Sequence, residues 1–158
     1  MPKAQLGHVT LFAENPDQLA GFYRDLFGME LVGRATSGSS VFIGGRPHEE
    51  NHELAFIHNR KAAHIGLKVG SPGEFLAYYH EVKARGLKIF AVYNHGMALA
   101  LYVLDPEDNL IEIYWPTGRE EYHPPHFGSL DLEGQTEEGL RQLVAEMSAP
   151  DVKHGSTD

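Results

Sequence analysis

Gly7-His8-Val9-Thr10-Leu11-Phe12-Ala13, near the start of the chain, is echoed by Ala63-His64-Ile65-Gly66-Leu67-Lys68-Val69 near its middle. At an offset of 56 positions, from 8 to 64, His8 falls on His64, Leu11 on Leu67, Pro16 on Pro72 and Tyr23 on Tyr79. Self-similarity of this kind means one supersecondary unit used twice, and it governs the reading of everything around it. A histidine early in each copy, among apolar residues, makes whatever the two histidines share the first place to look for function.

Leu6 to Phe12 alternates as a strand does. Asn15-Pro16-Asp17 then reads as a helix start: a capping side chain, a proline at the first helical position and an acid at the positive end of the dipole. Leu19, Phe22, Tyr23, Leu26 and Phe27 follow at helical spacing, and Gly28 supplies a left-handed stop. Strand-like runs at about 30–34, 40–43 and 53–58 complete a β-α-β-β-β unit. The second copy repeats the order: a strand at 64–69, the cap Ser71-Pro72-Gly73-Glu74, and a stripe of Phe75, Tyr78, Tyr79 and Val82 ended by Gly86. Strands follow at about 87–92, 98–104 and 110–114, the last two joined by the turn Asp105-Pro106-Glu107-Asp108-Asn109.

The predicted fold is α+β, two tandem units (about 6–60 and 62–116) forming one domain over 1–116. The remainder, 117–158, is an extension. Pro116, Gly118, Pro124, Pro125 and Gly128 exclude regular structure there and point to a surface wrap. A final helix is expected at about 136–147, with Leu140, Leu143, Val144 and Met147 on one face, and the last residues, 150–158, are expected to fray.

Composition removes several classes of function. A net charge of −9 over 158 residues argues against a nucleic-acid partner, which needs a basic face. With no cysteine there is no disulfide, thiolate nucleophile or thiolate metal site, so any metal must be held by imidazole and carboxylate, for which ten histidines are available. Met1-Pro2-Lys3 leads straight into a strand pattern with no apolar leader, and no run is long enough to span a bilayer, so a cytoplasmic protein without a membrane partner is expected.

Alternation puts His8 on the face of Thr10 and Phe12, and His64 on the matching face of its own strand. In Leu110-Ile111-Glu112-Ile113-Tyr114 the acid sits among apolar neighbours, where an ionised carboxylate is costly unless paired or metal-bound. If the two units curl around a shared cleft, His8 and His64 face each other across it and Glu112 reaches it from the last strand. Two imidazoles and one carboxylate with open positions suit non-haem Fe(II) and oxygen chemistry. Taken alone each residue has a bland reading, a hydrogen-bonded core histidine or an edge-strand acid. The repeat favours the metal cleft. His48, His52, His58, His80, His123, His126 and His154 read as surface residues, and Tyr23 and Tyr79 as helix core.

The paired units, the histidines in G-H-V-x-L and H-I-x-L-x-V, and the closing D-P-E-D-N-L-I-E-I-Y-W resemble the vicinal oxygen chelate superfamily over about 6–115. That superfamily includes glyoxalase I, type I extradiol dioxygenases and bleomycin-resistance proteins. The resemblance implies a curled mixed sheet and, by position, Fe(II) held by His8, His64 and Glu112. Asn94-His95-Gly96, Tyr102 and Asp105-Pro106 are similar to the pattern of catechol 2,3-dioxygenase-like members. His95 would there be an outer acid/base, and Tyr102 would hydrogen-bond near the metal. The implied function is an extradiol, ring-cleaving dioxygenase acting on a small aromatic diol and O2, as a homodimer or higher homo-oligomer. Asp108, Asn94 and the apolar run Ala98 to Ala100 depart from the pattern.

Glu53 opens an alternative. It stands 45 positions after His8, against 48 from His64 to Glu112, and glyoxalase I-type enzymes carry a fourth ligand at such a place. Two histidines and two glutamates would favour Ni(II) or Zn(II) and an isomerase; as the metal itself, Mn(II), Ni(II) and Zn(II) are the alternatives to Fe(II). A resistance-type protein that only binds a ligand is the third reading.

Overall fold

The two copies of the repeat form halves of one sheet. In the computed structural model, which describes residues 1–35, 37–46, 52–118 and 127–147, the first copy supplies β1 (Gln5–Phe12), α1 (Pro16–Phe27), β2 (Glu30–Arg34), β3 (Ser40–Gly44) and β4 (Leu54–Ile57). A single 3-10 turn at Arg60–Ala62 leads to the second: β5 (His64–Lys68), α2 (Pro72–Ala84), β6 (Ile89–His95), β7 (Ala98–Leu104) and β8 (Leu110–Pro116). A short β9 (Phe127–Ser129) and α3 (Glu137–Met147) follow.

Local chemistry sets the ends of the helices. Asn15 accepts a hydrogen bond from the Gln18 N–H (3.0 Å) and Ser71 from the Glu74 N–H (3.1 Å), each ahead of a proline in the first turn. The Glu74 carboxylate reaches back to the Gly70 N–H (2.7 Å), one residue before the cap. At the far end of α2, Gly86 adopts φ 65°, Leu87 donates to the Val82 carbonyl and Gly86 to that of Lys83. This is the paired closure that leaves few orphan carbonyls.

The strand order is β2-β3-β4-β1-β5-β8-β7-β6-β9. β1 and β5 meet antiparallel at the centre, and each has a parallel neighbour from its own unit, β4 and β8. The order therefore reads alike outward from the central seam, and the sheet curls into a half-barrel. Period 2 divides its faces. Val41, Ile43 and Phe56 pack with Ala20 of α1, while Leu99, Leu101, Val103, Ile113 and Trp115 pack with Phe75, Leu76 and Val82 of α2. Burying one such side chain contributes about 1.5–3 kcal/mol. The other face carries His8, Thr10, His64, Tyr102 and Glu112.

Four local differences from the sequence reading have physical causes. β6 begins at Ile89 because Leu87 is used in the helix closure, and it runs on to His95 because Asn94 pairs with Leu99 and Gly128, and His95 with Phe127. Gly128 thus lies in a strand, where a wrap without regular structure was expected. On α1, Leu19 and Tyr23 pack inward but Phe22, Leu26 and Phe27 stay 55%, 61% and 62% exposed, since a helix lying on a sheet buries one narrow stripe. His52 is half-buried beside His8 instead of lying on the surface. The expectations for 119–126 and for 150–158, and for His48, His123, His126 and His154, fall outside the described residues. Asp108 does take the left-handed conformation its turn requires (φ 62°), with Asp105 accepting from the N–H groups of Glu107 and Asn109. Among the described residues no helix is long and apolar enough to cross a membrane.

Candidate metal centre and active site

Register brings the repeat histidines together. On the central seam His8 lies across from Gly66, and His64 across from Thr10. On the parallel side of β5, Gly66 lies across from Glu112, so β8 delivers that carboxylate to the same spot. The outcome is a near-equilateral triangle: His8 Nε2 to Glu112 Oε2 2.9 Å, His64 Nε2 to Glu112 Oε2 3.0 Å, and Nε2 to Nε2 3.1 Å. His8 and Glu112 are 6% and 5% exposed.

The triangle fits a divalent cation. His64 Nδ1 donates to the Ala62 carbonyl oxygen at 2.6 Å, which leaves the lone pair on Nε2, the orientation that metal-ligating imidazoles receive from their outer partners. Three lone-pair atoms about 3 Å apart are the spacing of adjacent corners around one ion with bonds of about 2.1 Å. Without an ion, the same contacts require a proton on each imidazole Nε2 that meets the carboxylate, and a divalent cation would take the place of those protons. His8, His64 and Glu112 are also the one set among the described residues with three such donor atoms together, all within 4.8 Å of one another.

Electrostatics follow the same geometry. Burial pushes the Glu112 carboxyl up, but hydrogen bonds from His64 and His8 outweigh it and hold it well below the ordinary value. Burial opposes charge on His64, yet its bonds to Glu112 and the Ala62 carbonyl raise its pKa on balance. Thr10 Oγ1 stands 3.2 Å from His64 Nε2.

His95 and Tyr102 line the same floor. His95 Nε2 is 3.0 Å from the Tyr102 hydroxyl and 3.9 Å from Glu112 Oε1, and the Tyr102 ring lies edge-on to His64 with centroids 5.6 Å apart. Burial lowers the pKa of His95, keeping the imidazole neutral. Tyr102 comes from β7 directly opposite Glu112 on β8, and it packs against the buried cluster of Ala98, Ala100 and Tyr114.

Sequence reasoning missed His52. Its ring lies 4.6 Å from that of His8 and 5.0 Å from that of Phe42, and burial, with the charge of His8 next, lowers its pKa to about 3. The residue precedes β4 by two positions, outside any periodic run, so no pattern marked it. Tyr114 flanks His8 on another side at 5.1 Å.

The structure does not bring Glu53 into the group. Its carboxylate accepts from the backbone N–H groups of Gly45 (2.6 Å) and Arg46 (3.0 Å) and pairs with the Arg46 guanidinium (2.8 Å). Those bonds lower its pKa, the Arg46 side chain most. Strand register explains the miscount. Gly66 lies across from Glu112, and its first-unit counterpart Thr10 lies across from Ala55, so Ala55 holds the place equivalent to Glu112.

Comparison with known proteins agrees with this architecture. The sequence pattern of the Glyoxalase/Bleomycin resistance protein/Dioxygenase superfamily matches residues 5–113. Over 117 residues the chain is 27% identical to the manganese-dependent 2,3-dihydroxybiphenyl 1,2-dioxygenase of Geobacillus genomosp. 3, covering 71% of this chain and 36% of that protein. A catechol 2,3-dioxygenase structure superposes with a TM-score of 0.58 at 22% identity, over 84% of this chain and 48% of that one. The Mn(II)-bound glyoxalase from Novosphingobium aromaticivorans does so at 0.59 and 19%, over 72% and 40%. The chain thus spans less than half the length of these relatives. At such identities the structures establish a shared fold, and with a family match over residues 5–113 the chain belongs to the Glyoxalase/Bleomycin resistance protein/Dioxygenase superfamily.

Proposed function

We propose that the chain is an extradiol dioxygenase that holds Fe(II) through His8, His64 and Glu112 and cleaves the ring of a catechol-type diol with O2. The observation that carries this reading is the buried triangle of two imidazoles and one carboxylate with the His95–Tyr102 pair beside it. Two neutral nitrogens and one anion leave a divalent ion with net positive charge and open positions, the donor set of oxygen-using iron sites. A relative is described as manganese-dependent, so Mn(II) enters the test beside Fe(II). The ion, when bound, favours the ionised form of a diol and couples oxidation of the ring to O2.

The protein's own groups do the rest. His95 Nε2, whose neutral form burial favours, takes the proton of a diol hydroxyl and keeps it, with the Tyr102 hydroxyl 3.0 Å away accepting from the imidazolium so formed. His52 offers a second neutral imidazole on the opposite wall, against Phe42. Phe42 and Tyr102, both partly exposed, give the cleft apolar surface that suits an aromatic ring and displaces water. Glu53, held by Arg46, gives no support to a fourth-ligand isomerase.

The test is oxygen uptake by protein reconstituted anaerobically with Fe(II) or Mn(II) and offered a panel of catechols, with the visible spectrum recorded in parallel. A yellow ring-fission product formed in step with oxygen loss is expected. Metal-loaded protein that consumes no oxygen with any of the panel would count against the proposal.

A further inference from the structure

We infer that Gly66 is a positioning residue of this metal centre: the missing side chain at that point is what lets the His8 imidazole lie over the central seam. The inference rests on the metal reading above and concerns a residue outside the donor set. The two histidines occupy equivalent places, each across the seam from the residue two positions beyond the other: His64 opposite Thr10, His8 opposite Gly66. Their surroundings nonetheless differ. Thr10 carries a side chain, and its hydroxyl meets His64 Nε2 at 3.2 Å. Gly66 carries none, and a Cβ there would come within 2.5 Å of three His8 ring atoms.

The two rings are anchored by different means. His64 is held by a hydrogen bond from Nδ1 to the Ala62 carbonyl. His8 is held by packing: the Gly66 backbone beneath it, Tyr114 at 5.1 Å on one side and His52 at 4.6 Å on the other. The rings consequently stand at 83° to each other, with both Nε2 atoms on Glu112 Oε2. In a close-packed site a methyl group at position 66 cannot be accommodated by a small shift of the ring, because Tyr114 and His52 block both sides. The ring must swing, and its Nε2 leaves the triangle.

The experiment pairs a metal titration with a metal-free stability cycle. Cobalt(II) chloride is titrated into wild-type and Gly66→Ala protein while the visible d–d absorption is followed. Gly66→Ala is expected to bind at least tenfold more weakly, with an altered spectrum, a readout that loss of stability alone does not move. Urea unfolding of metal-free wild type, Gly66→Ala, His8→Ala and the double variant then isolates the contact. The alanine at 66 should destabilise when His8 is present and be neutral or stabilising when it is absent. Should Gly66→Ala alone fail to fold, a folded double variant supports the inference and an unfolded one overturns it. Wild-type affinity and spectrum in Gly66→Ala, or equal destabilisation in both backgrounds, also overturns it. Wild-type protein that takes up no Co(II) would overturn the metal reading itself, and the cycle, which needs no ion, tells that failure from one at Gly66.

Discussion

Phe42 and Tyr102 hold the same place in the two units: Phe42 on β3 lies across from Ala55 on β4, and Tyr102 on β7 lies across from Glu112 on β8. One fold position thus carries a polar pair in the second unit and an apolar pair in the first. The cleft is divided accordingly, with the carboxylate and the hydroxyl on one side and the phenyl wall on the other. This asymmetry leaves three candidate donors, His8, His64 and Glu112, the number that the proposed chemistry needs.

Ala55→Glu should convert the centre to two histidines and two carboxylates. The variant is expected to bind Zn(II) at least tenfold more tightly than wild type, equivalent to about 1.4 kcal/mol, and to lose oxygen uptake as an open position is filled. Zinc titration against a competing chelator reads the first effect. Unchanged zinc affinity would mean that position 55 does not mirror position 112.

Glu112→Gln removes the anion while nearly preserving shape. Retention of Fe(II) or Mn(II) after gel filtration should fall about a hundredfold, or about 3 kcal/mol, and His8→Ala and His64→Ala should act alike. Metal content by elemental analysis is the measure. Stoichiometric metal in Glu112→Gln protein would remove Glu112 from the donor set.

His95→Ala, Tyr102→Phe and His52→Ala should keep the metal and lose rate. Loss of a positioned acid/base group lowers turnover by about 10²–10⁴, so the His95 variant is expected to fall in that range with metal content unchanged. Single-turnover product formation separates this from a defect in binding. Normal turnover by His95→Ala would show that the proton moves elsewhere.

Glu53→Gln should leave metal content and oxygen uptake as in wild type, because its carboxylate is committed to Gly45 and Arg46. Its effect belongs to stability and has a definite sign. Arg46 lowers the folded-state pKa of Glu53 below the ordinary 4.5, so the contribution is complete above that value and disappears as pH falls through the lower folded one. The difference in Tm between wild type and Glu53→Gln should be constant from about pH 8 to pH 6 and close below about pH 4. A difference that widened on acidification would contradict the assignment.

Local rules alone were enough to determine the repeat, both helix starts, the Asp108 turn and the two histidine strands. Each depends on residues a few positions apart: a cap three residues from its N–H, a proline in a first turn, a period of 2. Glu112 was legible for a related reason, since a carboxylate inside an apolar strand needs a partner wherever that strand lies. Only the tertiary structure decided which acid joins the histidines. Glu53 and Glu112 look alike by counting, but the loop before β4 shifts the count, so register across the sheet puts Ala55 in the equivalent place and leaves Glu53 to Arg46. His52 and Gly66 escaped for the same physical reason: one carries its imidazole to the cleft from outside any periodic element, and the other acts through the side chain it lacks, against a ring that is its neighbour only across the seam.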